Sequence, residues 1–137
     1  MKYKKKIYHS IGKRKTSIAL AYIINNNKNK NNKIIINNKK INNYFNNNMI
    51  FKKKIYYPLE LTDNLKKFNF FIKVKGGGLN SQSEAISLAI SRILIKINKK
   101  FKKILKKKKL LTRDSRIVER KKFGKKKARK KFQFSKR

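Results

Sequence analysis

The excess of positive charge is the feature that most limits what this chain can fold into. Its 137 residues contain 42 Lys or Arg and only five Asp or Glu, which gives a formal net charge of +37 at pH 7. Mutual repulsion opposes packing these charges into a compact structure. We therefore expect one small domain, the usual outcome for this length, and a dense polyanion as its partner.

The composition also excludes several classes of site. The chain has no cysteine, which excludes a disulfide framework, a thiol nucleophile and a zinc–thiolate site. Five carboxylates are few for a metal-assisted or carboxylate-pair enzyme, and no apolar run approaches the ~18 residues of a membrane-spanning helix. The basic first residues lack the apolar stretch of a secretory signal. We expect no cofactor, no metal and no membrane partner.

Lysine and arginine carry different information in this chain. Lys, Asn and Ile have A- and T-rich codons and make up about half of the residues, so mutational drift accounts for part of the lysine excess. Arginine is scarce, and five of the seven arginines lie between residues 113 and 137. Because a guanidinium offers a planar donor fork that an ammonium lacks, we expect these arginines to contact phosphate.

Apolar patterns predict three strands. Residues 18–24 form a continuous apolar run, and residues 33–37 are interpreted as the strand that returns from it. The Asn/Lys-rich residues 25–32 would connect the two as a hairpin loop. Residues 68–75 alternate between apolar and polar positions, which predicts a third strand. Its aromatic residues could stack on bases, but the regular apolar face favours a helix-covered core.

Helical segments are expected in the middle of the chain. Residues 41–57 are ambiguous, with partly helical spacing. Pro58 suits the first position of a helix, so we expect a helix to begin there. Ser81 and Glu84 have the spacing of a capping box and predict the start of a long amphipathic helix. A basic helix should follow over about residues 99–109.

Two glycine-containing segments are candidate phosphate-binding sites. A triple glycine stands between a strand and a helix, where close backbone approach and the helix N-terminus favour an anion; a tight strand-to-helix turn explains it equally well. A turn at Gly12 would lead cations and hydroxyls into a strand, a combination suited to a phosphate backbone. The residues are Gly76, Gly77 and Gly78 in the first segment, and Lys13, Arg14, Lys15, Thr16 and Ser17 in the second.

The end of the chain has the composition of a tail. Apolar residues thin out after Leu111, and residues 121–137 contain ten Lys or Arg and no acid. Such a segment is expected to be disordered alone and extended on its partner. We therefore divide the chain into a globular α+β body, residues 1–110, and an extended basic tail, residues 111–137.

Four sequence blocks resemble the bacterial-type family of small-subunit ribosomal protein nine. They are residues 11–17 (IGKRKTS), 57–63 (YPLELTD), 74–85 (VKGGGLNSQSEA) and 111–137, which ends in QFSKR. They stand in the family's order and spacing over essentially the whole chain, and the terminal block is highly specific. One departure is Phe132, where the family commonly has a proline and therefore a rigid φ.

The resemblance implies both a fold and a function. The fold is a mixed sheet with helices on one face, of the ribosomal protein S5 domain 2-like type with a left-handed βαβ crossover, plus the long basic tail. The function is that of a structural constituent of the small ribosomal subunit, not an enzyme and not a homo-oligomer. Its implied partners are rRNA of the head (the 3′ major domain), neighbouring head proteins and peptidyl-site tRNA. The A- and T-rich codons of Lys, Asn and Ile, rather than the resemblance, favour the ribosome of a reduced-genome bacterium, or of a plastid or mitochondrion that encodes the protein.

The resemblance and the charge pattern together nominate RNA-binding residues. The two glycine-containing segments and the tail cations are expected to bind rRNA, and the last three residues to bind tRNA. The tail cations are Arg113, Arg116, Arg120, Lys121, Lys122, Lys125, Lys127, Arg129 and Lys130, and the residues at the tip are Ser135, Lys136 and Arg137.

Two other functions fit parts of the pattern. A DNA-compacting protein of histone-like type could use the same cations, although the tail lacks a repeated basic motif. A small-molecule kinase could use a Gly-rich loop before a helix, but it needs carboxylates for Mg²⁺ and only Glu84 lies near the loop. The ribosomal function is therefore the leading hypothesis.

Overall fold

The chain is described by a computed structural model over residues 7–24, 33–65 and 67–135. This part contains five strands and four helices. The predicted loop at residues 25–32 and the tip residues Lys136 and Arg137 lie outside it. The strands are β1 (Ile7–Arg14), β2 (Ser17–Ile24), β3 (Ile34–Ile36), β4 (Lys39–Lys40) and β5 (Asn69–Lys75). The helices are α1 (Ile41–Tyr44), α2 (Met49–Glu60), α3 (Leu79–Ile97) and α4 (Phe101–Lys107).

The strands form one mixed sheet in the order β1-β2-β5-β3-β4. Strand β3 runs parallel to β5, and the other neighbours are antiparallel. The prediction that residues 33–37 return from β2 as a hairpin is therefore wrong, because β5 lies between β2 and β3. The alternating apolar pattern identifies a strand and its buried face, but it carries no information about which strand is its neighbour.

Gly12 lies within strand β1 rather than in a turn, which corrects a second expectation. The turn of the β1–β2 hairpin is formed by Lys15 and Thr16, and Lys15 has a positive φ of 49°. A Cβ on Gly12 would collide with the backbone oxygen of Ala85 and lie 2.8 Å from the backbone nitrogen of Ala89. Glycine is needed here because helix α3 crosses β1 at very close range.

The helix expected to begin at Pro58 begins nine residues earlier. The side chain of Asn48 caps α2 by accepting a hydrogen bond from the N–H of Ile50, the role typical of an N-cap asparagine. Pro58 is buried in the last turn of α2. Its carbonyl accepts a hydrogen bond from the Thr62 hydroxyl at 2.9 Å. Proline thus lies where this helix ends.

The predicted capping box is also wrong. Helix α3 begins at Leu79 with Gly78 as its N-cap, so Ser81 lies inside the first turn. The Ser81 hydroxyl donates to the carbonyl of Gly78 at 2.9 Å, and the Glu84 carboxylate faces outward to cations. Because α3 packs on β1, β2 and β5 and is covered by α2, it is buried on most sides.

The core lies between the sheet and α3. It includes the small residues of β2, the alternate apolar residues of β5 and the inner side of α3. The core role predicted for residues 68–75 is therefore confirmed for Phe70, Ile72 and Val74, whereas Phe71 is exposed. The basic helix predicted at residues 99–109 is confirmed as α4. Within residues 7–24, 33–65 and 67–135, no helix is long and apolar enough to cross a membrane.

Helix α3 also protects the edge of the sheet. Strand β1 is an edge strand. Two of its carbonyls accept hydrogen bonds from α3, that of Ile11 from Arg92 Nη1 at 2.7 Å and that of His9 from Lys96 Nζ at 2.7 Å. Part of the polar edge of the sheet is therefore satisfied by side chains of the protein itself.

Candidate nucleic-acid interface

Arg14 connects the body of the protein to the first residues of the tail. Its Nε donates to Glu84 Oε2 at 2.8 Å, and its Nη2 lies 3.1 Å from Asp114 Oδ2. Its Nη1 donates to the carbonyl of Arg116 at 2.7 Å. The Arg14 side chain is only 15% exposed. Its donors are thus used inside the protein, which leaves little of the fork free for a phosphate.

The acids around Arg14 are held in their charged forms. Burial alone would raise the pKa of Glu84, but hydrogen bonds from Lys54 and Arg14 outweigh it and keep that pKa below its ordinary value. Hydrogen bonds from the side chain and the backbone N–H of Arg116 hold the pKa of Asp114 far below its usual range. Both carboxylates therefore remain negative at neutral pH and keep the Arg14 contacts in place.

A cleft of about 280 Å³ opens beside this cluster. Lys13 and Lys109 line it, both are exposed, and neither has a carboxylate partner in the described part of the chain. Lys15 and Thr16 at the adjacent hairpin turn are exposed as well. These side chains, rather than that of Arg14, are the groups of this region that are free to meet an RNA backbone.

The two glycine-containing segments contact each other. The Ser17 hydroxyl donates to the carbonyl of Gly76 at 2.9 Å and lies 2.8 Å from the Ser81 hydroxyl. Gly76 and Gly77 have positive φ values of 75° and 65°, and a Cβ on Gly77 would collide with the Ser17 hydroxyl. A tight turn packed on β2 therefore accounts for these glycines, and Ser17 is fully buried. Gly76, Gly77 and Gly78 are themselves exposed.

Residues 108–135 contain no helix or strand. Leu110 and Leu111 still pack against the core. Farther on, Arg129 forms a fork with Glu119 at 2.7 and 2.9 Å, and the N–H of Lys126 donates to the carbonyl of Lys130 at 2.8 Å. In this structure these contacts close residues 119–130 into a loop.

Known proteins match this chain over nearly its whole length. Residues 12–137 match the family described as "Ribosomal protein S9/S16". The chain belongs to this family. It is 46% identical over 133 residues to "Small ribosomal subunit protein uS9" of Pelodictyon phaeoclathratiforme, covering 97% of this chain and 99% of that protein. The proteins of the same name from Cytophaga hutchinsonii and Amoebophilus asiaticus are 42% and 45% identical over 131 residues, covering 96% of this chain and 98% of theirs.

Membership in the S9/S16 family confirms the resemblance drawn from the four sequence blocks. These relatives give no support to a DNA-compacting protein. The five-stranded mixed sheet with helices agrees with the α+β expectation.

In this S9/S16 chain the nominated residues fall into three groups. Four residues are used in internal contacts: Arg14, Ser17, Arg116 and Arg129. The guanidinium of Arg116 pairs with Asp114 at 2.8 Å, and that of Arg129 pairs with Glu119. Lys136 and Arg137 are outside the described residues. The others are exposed or half-buried and belong to none of the ion pairs in the described ranges; they are Lys13, Lys15, Thr16, Gly76, Gly77, Gly78, Arg113, Arg120, Lys121, Lys122, Lys125, Lys127, Lys130 and Ser135.

Sequence reasoning missed the partners of the arginines. Glu84, Asp114 and Glu119 form every ion pair of the described residues, and Lys54 joins Glu84 at 2.9 Å. The available signal was the scarcity of acids. Where carboxylates are this few, an arginine that pairs with one of them is less available to RNA.

Proposed function

We propose that this protein is a structural constituent of the small ribosomal subunit that binds rRNA of the head through its body and tail. The full-length similarity to proteins named for the small ribosomal subunit carries this proposal. The charge supports it, because 42 cations against five acids leave too few carboxylates to neutralise most ammonium and guanidinium groups. A dense polyanion relieves their repulsion.

The tail is the part of the protein that depends most on RNA. Phe123 and Phe134 are fully exposed, so residues 111–135 bury little apolar surface that could hold them in place. The Glu119–Arg129 pair is on the surface, where such pairs are weak. A phosphate backbone competes for Arg129 and its neighbours, and the loop at residues 119–130 opens into the extended form on rRNA.

The body and the tail have different tasks in this proposal. Residues 1–110 dock on rRNA through Lys13, Lys15, Thr16 and the exposed triple glycine. Arg14 fixes the point at which the tail, residues 111–137, leaves the body. An extended chain spans at most ~3.3–3.6 Å per residue, so the tail can reach up to ~90 Å. That length allows Ser135, Lys136 and Arg137 to contact peptidyl-site tRNA while the preceding cations hold rRNA.

Two finer points of the expected fold and location belong to the same proposal. In the described part of the chain, β3 and β5 form the one parallel strand pair and are connected through α1 and α2. We assign the left-handed crossover of the family fold to this βαβ unit. The excess of Lys, Asn and Ile, whose codons are A- and T-rich, supports a reduced-genome bacterium or an organelle as the source of the ribosome.

Filter binding to a transcribed 3′ major domain of small-subunit rRNA tests the function. Each neutralised phosphate contributes about −0.7 to −0.9 to the slope of log K against log salt. We expect a slope steeper than about −5 for the full chain and weaker binding to duplex DNA of equal length at every salt concentration. A slope near −1 would overturn the rRNA-binding proposal, and equal affinity for the DNA would favour a DNA-compacting protein.

A further inference from the structure

One face of the sheet lacks a covering helix in the described residues. Side chains alternate along the strands, so His9 of β1, Tyr22 of β2, Phe71 of β5 and Ile35 of β3 point away from α3. They are also paired strand by strand in the register: His9 with Tyr22, Tyr22 with Phe71, and Phe71 with Ile35. Three aromatic side chains therefore follow one another across the sheet, and the rings of His9 and Tyr22 lie 6.3 Å apart at an interplanar angle of 38°.

Two further rows lie beside the aromatic row. The first pairs Ile11, Leu20 and Lys73, and the second pairs Lys13, Ile18 and Lys75. Ile11 is 45% exposed and Phe71 39%. Between these rows is a depression of about 350 Å³. We call this surface the open face; it consists of His9, Ile11, Lys13, Ile18, Leu20, Tyr22, Ile35, Phe71, Lys73 and Lys75.

We propose that the open face binds unpaired nucleotides of RNA. Tyr22 and Phe71 provide stacking surfaces for bases, and Lys73 and Lys75 on the same strand as Phe71 neutralise the phosphates that follow. A sheet with aromatic residues on its exposed face and cations along its side is a recurring way to bind single strands. The inference rests on the proposed function, because it names a further part of the RNA-binding surface.

The charge of the open face decides between its possible occupants. None of the chain's five acids lies on a strand, so the face is apolar and aromatic with a purely cationic border. A second copy of the chain would oppose Lys13, Lys73 and Lys75 to identical charges. Duplex RNA offers phosphates, but its bases are already stacked within the helix. Unpaired nucleotides supply the negative charge that this surface lacks and free bases that can stack on Tyr22 and Phe71.

Photo-crosslinking of the full chain tests the inference directly. The probes are a single-stranded ten-nucleotide RNA containing 5-iodouridine, which couples to stacked aromatic side chains on irradiation, and an RNA duplex of equal length. We expect the single strand to crosslink at Tyr22 or Phe71, as mapped by mass spectrometry of the peptides, and the duplex to crosslink at neither. Crosslinks of the single strand confined to the tail would overturn the proposal.

Aromatic replacement provides an independent measurement. The double variant Tyr22→Leu/Phe71→Leu removes stacking and keeps apolar volume, so we expect its affinity for the single strand to fall at least about fivefold while its affinity for the duplex stays unchanged. The single variant Tyr22→Phe keeps a ring and should bind the single strand as tightly as the wild-type chain. The matched control is Tyr57→Leu, which removes a ring of similar exposure, 37%, from helix α2. An equal loss in this control would contradict the assignment, and so would a concentration-dependent dimer formed through the open face.

The head rRNA titration separates this inference from the proposed function. If that titration keeps its steep salt dependence while the open face fails to crosslink, the function stands and the inference is wrong. If the wild-type chain loses the steep dependence altogether, the proposed function fails as well. Urea unfolding of each variant shows whether the variant is folded. If a variant does not fold, the crosslinks of the wild-type chain alone test the open face.

Discussion

The side chains of Arg14 and Glu84 meet at 2.8 Å although 70 residues separate them in the sequence. Arg14 ends strand β1, and Glu84 lies in the second turn of α3. The same guanidinium contacts Asp114 and the carbonyl of Arg116. One side chain thereby joins the hairpin, the long helix and the first residues of the tail.

Replacing Arg14 by lysine should destabilise the protein although the charge is unchanged. A single ammonium cannot contact Glu84, Asp114 and the Arg116 carbonyl together. We expect Arg14→Lys to lower the free energy of unfolding by about 1–2 kcal/mol, since charge-assisted hydrogen bonds to a largely buried guanidinium are lost. Urea unfolding followed by circular dichroism measures this. Arg113→Lys, at an exposed position, should unfold at the wild-type midpoint; equal midpoints for both variants would refute the role of Arg14.

Glu84 should make the stability depend on acid pH. Its pKa in the folded protein lies below the ordinary value of 4.5. The carboxylate therefore stabilises the fold fully above that ordinary value, and the contribution is lost as the pH falls through the lowered pKa. Between pH 5 and pH 2, wild type should lose more unfolding free energy than Glu84→Gln, whose amide does not titrate. Parallel curves of unfolding free energy against pH would show that the carboxylate contributes nothing.

Gly12→Ala should be among the most damaging small substitutions in the chain. The added methyl group would run into the backbone of α3 at Ala85 and Ala89, and backbone atoms cannot move aside without shifting the helix. We expect a loss of about 1–3 kcal/mol in unfolding free energy, typical of overpacking. The matched control is Gly78→Ala, where a Cβ meets nothing within 4 Å; its loss should stay below about 1 kcal/mol, the cost of alanine in place of glycine at an N-cap. A tolerated Gly12→Ala would mean that α3 can move away from β1.

The sequence was informative where one periodicity extends over a whole element. The apolar patterns predict strands β2 and β5 and helix α3, and α4 is predicted as a basic helix. The pattern does not predict strand β1, residues 7–14 (IYHSIGKR). The side of this strand that faces α3 includes a serine and a glycine, and such small residues do not produce the apolar alternation by which a strand is recognised.

Element boundaries and contacts were harder to predict. The start of α2 depends on one side chain, Asn48, whose capping role a chain rich in asparagine conceals. The Arg14 guanidinium is paired internally because the tertiary fold brings Glu84 and Asp114 next to it, and the sequence does not show that proximity. Composition could thus identify the kind of partner, and the family blocks the kind of protein, but neither could separate the internally paired arginines from the free cations.

Removing the tip of the tail should weaken tRNA binding without preventing assembly. The deletion covers Ser135, Lys136 and Arg137, and it removes one ammonium and one guanidinium. We expect peptidyl-site tRNA to dissociate faster from purified small subunits that carry the shortened protein, because two phosphate contacts are lost. The loss should not exceed about 1.5–3 kcal/mol per contact, since solvent screening and other tRNA contacts absorb part of it.

The control for this deletion keeps the length and changes the charge. Lys136→Gln/Arg137→Gln should accelerate dissociation to a similar extent, whereas Ser135→Ala should have little effect. Subunit yield in a sucrose gradient reports assembly. Unchanged tRNA off-rates would restrict the tip to rRNA contacts, and a collapse of subunit yield would show that it is needed to build the head.

The hydrogen bonds from α3 to strand β1 also affect whether protein that is not yet assembled into a ribosome aggregates through the edges of its sheet. Arg92 and Lys96 occupy carbonyls that a neighbouring molecule would otherwise use to extend the sheet, and the opposite edge is a two-residue strand of lysines. Edge-to-edge growth is blocked sterically on one side and electrostatically on the other. Newly made copies that outnumber the available rRNA should thus resist fibre formation and remain available for later assembly.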